Sequence, residues 1–143
     1  MALPDELKAV LANTFMLYYK AHAAHWNVEG MLFASLHAFF GKLYADVHAA
    51  VDPIAEHLRT LGPYAPPSLL MLLDHTEIEH DSAVFEVRQT IERLVAANDL
   101  VRASLYRART EAQTVNQAGI LNFLEGRIDA HDEIAFHLKA HLK

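Results

Sequence analysis

Apolar residues recur along most of this chain at the three- and four-residue spacing of an amphipathic helix. Four long segments show this pattern, over about 4–28, 32–61, 81–112 and 120–142. Neither a strand-like alternation of apolar and polar residues nor a short internal repeat is visible. The pattern therefore predicts an all-α protein, and we expect one four-helix bundle domain over residues 1–143.

Capping and helix-breaking residues refine these boundaries. Asp81 or Ser82 is expected to cap the third long helix. Pro53 interrupts the second helix and should bend it, because proline removes one backbone hydrogen bond. Ser68 is expected to cap a short extra helix that ends at Leu73, inside the connection between the second and third long helices. A long second connection of this kind allows the crossover of ferritin-like topologies.

Composition excludes several classes of function. The 143 residues include 52% hydrophobic and 21% charged residues, so the chain can bury a core. There is no cysteine, which excludes disulfides, thiolate metal sites and cysteine nucleophiles. The net charge of −6 disfavours a general electrostatic grip on nucleic acid. No signal peptide or membrane span is visible, so we expect a cytoplasmic protein.

Ten histidines are the unusual feature of the composition, because histidine binds metals. Nucleotide-binding glycine motifs, the GxSxG motif and the HExxH motif are all missing from the sequence. An internal di-iron centre needs two Glu-x-x-His motifs, and only one is found, from Glu77 to His80. We expect that single motif to be part of a solvated polar loop.

The second helix carries a more informative pair of carboxylates. Asp52 and Glu56 are four residues apart, so they share one helical face and can reach one metal ion. His37 precedes Asp52 by 15 residues, which is about 22 Å along a helix and excludes a shared metal within one chain. An antiparallel second chain would bring its carboxylates to His37. His25, near the end of the first helix, could lie beside His37 across the hairpin.

Spacing alone leaves a second interpretation open for these four residues. His25 and His37 could be two satisfied histidines of a hairpin core, while Asp52 and Glu56 could form a solvated helix face. The two-chain site requires dimerisation, and two-fold symmetry would then give two sites per dimer.

A segment at the end of the first helix favours the metal-site interpretation of these four residues. It reads Ala24-His25-Trp26-Asn27-Val28-Glu29-Gly30. Phe33, the pair Leu36-His37 and the run Asp52-Pro53-Ile54-Ala55-Glu56 follow them at fixed distances. This combination resembles the mini-ferritins of the Dps family, in which the pattern is HWNVxG, a phenylalanine, LH and DxxAE. The helix order extends the resemblance over essentially the whole chain.

The resemblance implies a function, an assembly and a set of site residues. It implies a hollow shell of twelve subunits that oxidises Fe(II) with hydrogen peroxide or oxygen, stores ferric mineral and so limits oxidative damage. His25 and His37 would come from one subunit, and Asp52 and Glu56 from its two-fold partner. Trp26 would act as an electron donor, or would only pack in the interface. Iron suits this mixed donor set, and zinc is a possible competitor.

Two departures from the family pattern affect the iron site and its entry route. Many members have an acidic residue where this chain has Gly41, so a second iron would be weakly held or would use Asp46 or His48. The segment 113–119 also lacks the acidic residues that line the family's three-fold pores. Possible substitutes are Glu111, Glu125 and Asp129.

The third departure concerns DNA. Members that bind DNA often use a lysine-rich tail, whereas here the termini offer only Lys8, Lys139 and Lys143. We therefore expect no DNA binding. The alternative to a ferroxidase is a DNA-binding or structural shell without significant ferroxidase activity. Three histidines remain unassigned: His131 could line a pore, and His137 with His141 could form a second metal site.

Overall fold

The computed structural model describes residues 2–143, and no strand occurs in that range. The helices are α1 (Leu3–Asn27), α2 (Phe33–Ala49), α3 (Val51–Thr60), α4 (Leu69–Leu73), α5 (Val87–Thr114) and α6 (Ala118–Ala140). Because only Ala50 separates α2 from α3, the two helices together form the second long element of the bundle. The fold is thus a four-helix bundle with α4 in the long connection, as predicted.

The core of the bundle lies between α1 and its neighbours. α1 packs against α2, α3 and α5, and α5 packs against α6. Leu7, Leu17, Phe40, Val101 and Leu124 are completely buried there. Each such side chain contributes about 1.5–3 kcal/mol through its removal from water. No helix within residues 2–143 is long and apolar enough to cross a lipid bilayer.

The second long element is interrupted at Ala50, which separates α2 from α3. Pro53 has no N–H to donate to the carbonyl of Ala49, and its ring crowds that carbonyl. The Ala50 N–H instead bonds the carbonyl of Val47 at 3.1 Å, three residues back. The predicted interruption of the second helix is therefore confirmed.

The predicted start of the third long helix was wrong. α5 begins at Val87, and neither Asp81 nor Ser82 caps it. The Asp81 carboxylate pairs instead with Lys20 at 2.9 Å and Arg93 at 2.6 Å. Burial raises the pKa of Asp81, but the hydrogen bonds from Lys20 and Arg93 outweigh it and leave that pKa below its ordinary value. The ion pairs hold Asp81 outside the helix. The Ser68 cap is confirmed, because its Oγ accepts the Met71 N–H at 3.2 Å.

The connection that precedes α5 is held by hydrogen bonds and ion pairs to both α1 and α5. The buried Asn13 side chain of α1 accepts hydrogen bonds from the Thr76 hydroxyl and the Glu77 N–H at 2.8 and 2.9 Å. Arg107 of α5 binds the carboxylates of Glu77 and Glu6. The Glu77 side chain is therefore a structural link between α1 and α5, and the single Glu-x-x-His motif belongs to this connection.

His131 of α6 is completely buried, so the expectation that it lines a pore was wrong. Its Nδ1–H donates to the Asn98 side-chain oxygen at 2.8 Å, and the Asn98 amide donates to the His131 carbonyl at 2.9 Å. Arg127 donates to the remaining nitrogen, Nε2, at 3.1 Å. Since a guanidinium can only donate, the His131 ring is neutral. Burial, and then the charges of Arg127 and Arg102, lower the pKa of His131 to about 3.

This histidine should make the fold sensitive to mild acid. The unfolded chain protonates His131 near its ordinary pKa of 6.5, whereas the folded chain protonates it only near 3. Between these values the unfolded state binds more protons, so stability is present above pH 6.5 and is lost as the pH falls below it. The loss approaches about 1.4 kcal/mol per pH unit.

Denaturant unfolding of the wild type and His131→Gln at pH 7.5 and pH 5 measures this effect. Between the two pH values, the wild type should lose about 2 kcal/mol more unfolding free energy than the variant. The exposed His75, changed to glutamine, is the control and should behave as the wild type does. Equal pH dependence in wild type and His131→Gln would contradict the prediction.

Candidate metal centre

His25 and His37 face each other across the α1–α2 hairpin, in a geometry that orients both rings. The His25 Nδ1–H donates to the carbonyl of His37 at 2.6 Å, and the His37 Nδ1–H donates to the carbonyl of His25 at 2.8 Å. The two rings stack with their centroids 3.7 Å apart. The hairpin turn is made by Gly30, whose φ of 104° suits glycine.

The two hydrogen bonds also determine which nitrogens are available. A carbonyl only accepts, so Nδ1 carries a proton in both rings. The Nε2 atom is then the nitrogen through which either ring can bind a metal ion. A histidine that binds a metal ion usually donates its other ring N–H to a carbonyl or carboxylate, and that hydrogen bond fixes the orientation of the ring. The pair is thus prepared to offer two imidazole nitrogens to a metal ion.

Gly41 of α2 lies against His25. A Cβ atom placed on Gly41 would approach the His25 Cε1 and Nδ1 atoms to 3.1 Å. That distance is tighter than ordinary contact, and the His25 ring has little freedom to retreat because its Nδ1 is bonded to His37. The missing side chain at position 41 is therefore what admits the His25 ring in this orientation.

Changing Gly41 to alanine should weaken metal binding without weakening the fold. The new methyl group displaces the His25 ring, which should lower affinity for Zn²⁺ or anaerobic Fe(II) about 10–100-fold. Alanine is about 1 kcal/mol better than glycine inside a helix, which opposes any loss of stability. Gly126→Ala in α6 is the matched control, because its Cβ would meet nothing within 4 Å. Calorimetric titration that finds both variants at wild-type affinity would refute this role of Gly41.

The two carboxylates lie apart from the histidine pair. Asp52 and Glu56 are on α3, beyond the break at Ala50, and both are exposed. Within residues 2–143, neither carboxylate takes part in a hydrogen bond or ion pair. In the same range, no group of three or more His, Asp or Glu side chains could hold a metal ion. The structure therefore brings His25 and His37 together in one chain but leaves Asp52 and Glu56 for another contact.

Sequence reasoning missed a ring cluster beside His25. His22 stacks on Tyr44 with centroids 3.8 Å apart and lies 4.1 Å from Trp26, while its Nδ1 is 2.8 Å from the Tyr18 hydroxyl. Burial, and then the nearby His25 and His48, lower the pKa of His22. The spacing of 18, 22 and 26 along α1 was the available signal, since these positions share one helix face.

The substitutes considered for the missing acid at position 41 lie in different places. His48 packs on Tyr18 at 4.6 Å and so belongs to the ring cluster. Asp46 lies near Arg127, where its charge partly offsets the lowering by burial of the arginine pKa. Of the proposed pore acids, Glu125 is paired with Arg109 at 2.9 Å. Glu111 and Asp129 remain predictions.

The other histidine pair is differently arranged. His141 donates its Nδ1–H to the carbonyl of His137 at 2.8 Å, and its ring packs on Phe39 at 4.6 Å. His137 lies 3.8 Å from Glu133 on the exposed face of α6. These contacts give His141 a packing role, and the second metal site suggested for this pair remains a prediction.

Comparison with known proteins gives the class to which this fold belongs. A family model of the ferritin-like domain matches residues 4–143, almost the whole chain. The chain is therefore a ferritin-like protein.

Relatives and solved structures narrow that class. The DNA protection during starvation protein of Halobacterium salinarum is 33% identical over 144 residues, covering 97% of this chain and 77% of that protein. A nutrient stress-induced DNA-binding protein of Synechococcus is 32% identical over 136 residues, covering 94% and 77%. The crystal structure of a Vibrio cholerae Dps protein, described as ferritin-like and diiron-carboxylate, has a TM-score of 0.93 and 25% identity, covering 99% of this chain and 89% of that one.

An archaeal Dps homologue from Halobacterium salinarum also superposes with a TM-score of 0.93 and 25% identity, covering 99% of this chain and 79% of that one. The chain belongs to the Dps family of mini-ferritins. At the level of the family, this membership supports a role in iron storage.

Proposed function

We propose that this protein binds Fe(II), oxidises it with hydrogen peroxide or oxygen, and stores the ferric product inside a shell of twelve subunits. Each ferroxidase centre would combine His25 and His37 of one subunit with Asp52 and Glu56 of its two-fold partner. Iron is the substrate and the cargo of this reaction. Zinc, which accepts the same donors, would compete for the centre.

One observation carries the proposal: the His25–His37 pair is oriented, and the carboxylates that would complete its ligand set lie apart from it. Both Nδ1 atoms are occupied by carbonyls, so both Nε2 atoms are available. Asp52 and Glu56 are exposed on α3. Borderline Fe(II) accepts imidazole, and carboxylates stabilise the ferric product. A two-fold contact between subunits would complete two such ligand sets, one for the histidine pair of each subunit.

Exposed apolar side chains support such a contact. Trp26 is 54% exposed, Met31 and Leu32 at the hairpin turn are more exposed, and Leu70 of α4 is 80% exposed. Exposed apolar surface of this extent is typical of an interface. A cleft of about 870 Å³ lies between α1, α4 and residues 80–87. We propose that a partner subunit covers it.

Trp26 would serve the centre from the ring cluster. Its ring is 4.1 Å from His22 and 6.0 Å from Tyr19. An indole in this position could give an electron to the oxidised site, and it would also pack against the partner. Replacement by phenylalanine separates the two roles, because it keeps most of the packing and removes the readily oxidised ring.

Sedimentation of the protein after incubation with Fe(II) and peroxide tests the proposal. Mass and iron content are recorded in the same boundary. Twelve chains of 16.0 kDa give an iron-free shell of about 192 kDa. Many irons per chain at or above that mass would support storage. A shell without iron would favour a structural role, and a dimer or monomer would exclude mineral storage.

DNA binding is not part of the proposed function, although relatives are named for it. The net charge of −6 per chain opposes contact with phosphates, since such binding is driven by release of counterions from them. Fluorescence anisotropy with labelled duplex DNA should show no binding at physiological salt. Tight, salt-resistant binding would instead favour the DNA-binding alternative.

A further inference from the structure

Tyr18 and His22 form a hydrogen-bonded pair on one face of α1. The Tyr18 hydroxyl oxygen lies 2.8 Å from the His22 Nδ1 atom, one helical turn away. The other tyrosines of the described range, Tyr19, Tyr44, Tyr64 and Tyr106, have no hydroxyl partner there. Among these five phenols, Tyr18 is therefore the one with an imidazole nitrogen within hydrogen-bond distance of its hydroxyl.

This pair is continuous with the candidate metal centre. His22 stacks almost parallel on Tyr44, with an interplanar angle of 8° and centroids 3.8 Å apart. Tyr44 in turn lies 5.3 Å from His25 and 6.1 Å from Tyr18. Each step of this path joins neighbouring aromatic rings. An electron can therefore pass from Tyr18 to the His25 side of the site without crossing a gap of solvent.

The hydrogen bond determines which tyrosine is easiest to oxidise. A phenol that loses an electron becomes a strong acid and must lose its proton at the same time to yield a stable radical. In the His22 tautomer that carries its proton on Nε2, the Nδ1 atom accepts that proton from Tyr18. Tyr19, which is half exposed and has no such base, would have to release its proton to water.

We propose that the Tyr18–His22 pair is a proton-coupled electron donor for the iron site. This inference rests on the proposed function for its iron partner. Peroxide takes up two electrons, but a centre that holds a single Fe(II) can give only one. Gly41 stands where many family members have an acidic residue, so we infer that the second iron is weakly held and that some centres contain a single Fe(II).

The overall step balances in atoms and charge. Fe(II), hydrogen peroxide and the Tyr18 phenol give Fe(III), hydroxide, water and the Tyr18 radical. Iron loses one electron and the phenol loses one, and the O–O bond breaks as peroxide is reduced by both. The phenolic proton moves first to His22 and then joins the water product. The second electron thus prevents release of a hydroxyl radical.

Two oxidants test the proposal in one set of variants. In the first arm, protein loaded with one Fe(II) per chain is mixed with peroxide and freeze-quenched for electron paramagnetic resonance. In the second arm, iron-free protein is oxidised by flash-generated tris(bipyridyl)ruthenium(III). Wild type should give a tyrosyl radical in both arms. Tyr18→Phe should abolish it, whereas Tyr19→Phe, the neighbouring control, should retain it.

The histidine is tested by His22→Gln, because glutamine accepts a hydrogen bond but cannot hold the proton. Radical formation should slow by about 100-fold or more. His48→Gln is the matched control, since His48 also packs on the Tyr18 ring but does not bond its hydroxyl. In the iron arm, a spin trap should also detect more hydroxyl radical from Tyr18→Phe than from wild type.

The outcomes separate the two proposals. An unchanged radical in Tyr18→Phe, or an unchanged rate in His22→Gln, overturns the donor role. So does a Tyr18 radical that forms with the photo-oxidant but never with iron that is being oxidised. If Fe(II) is not oxidised at all while the photochemical radical forms on Tyr18, the proposed ferroxidase function fails. The pair is then oxidisable, but its role as a donor to the iron site is overturned with that function.

Discussion

Co-assembly of two inactive variants should restore about a quarter of the wild-type rate of Fe(II) oxidation. The first variant, His25→Ala with His37→Ala, lacks the imidazoles. The second, Asp52→Ala with Glu56→Ala, lacks the carboxylates. Random mixing makes half of the dimers mixed, and each mixed dimer has one intact site of two. The measurement is the initial rate of Fe(III) absorbance after the subunits are unfolded together and refolded.

Each variant refolded alone should be slower than wild type by on the order of 100-fold, because half of the ligand set is missing. The same pair of proteins, mixed after separate refolding, is the control and should remain inactive. Recovery only after joint refolding identifies a site shared between subunits. If the jointly refolded shells have normal mass but stay inactive, the four residues do not form one site between two subunits. That result would contradict the proposed centre.

Asn98→Ala should destabilise the protein more than any exposed substitution in α5. It removes the hydrogen bonds to the His131 ring and to the His131 carbonyl. The buried ring N–H is then left without a partner, whereas the carbonyl keeps its backbone bond within α6. The orphaned N–H costs about 1–3 kcal/mol and the lost bond to the carbonyl about 0.5–1.5 kcal/mol, so the total should be about 1.5–4.5 kcal/mol. For a chain of this size, that corresponds to a fall in Tm of about 10 °C.

Asn122→Ala is the matched control for this change, because Asn122 is an exposed asparagine of α6. It should shift the unfolding free energy by less than about 0.5 kcal/mol. Thermal unfolding followed by circular dichroism measures both variants under conditions in which the subunits are dissociated. A loss below about 1 kcal/mol in Asn98→Ala would show that the network is dispensable.

The helices were predictable from the sequence because their signals are local. Apolar periodicity located the four long elements, and Pro53 marked the break at Ala50 because a missing N–H acts within four residues. The start of α5 was not predictable, since Asp81 is held outside the helix by Lys20, about sixty residues earlier in the chain. The local capping signal competed with an ion pair that only the folded chain creates.

The candidate site divides in the same way. Residue types and spacing identified His25, His37, Asp52 and Glu56, and the helix length argued that one chain could not unite them. The exchange of hydrogen bonds between the two histidines could not be predicted, because it depends on how closely α1 and α2 approach. The contact between Gly41 and His25 has the same origin: in the sequence, Gly41 showed only a missing acid.

The hydrogen bonds that hold the long connection against α1 and α5 can form only late in the synthesis of the chain. The buried Asn13 amide receives its partners only when Thr76 and Glu77 have been made, and Glu6 waits for Arg107, 101 residues later. A nascent α1–α2 hairpin therefore leaves the ribosome while the face that later packs in the bundle is still exposed to solvent. Most of the chain must emerge before that face is covered. Until then, the nascent chain can associate with other nascent chains on the same messenger RNA.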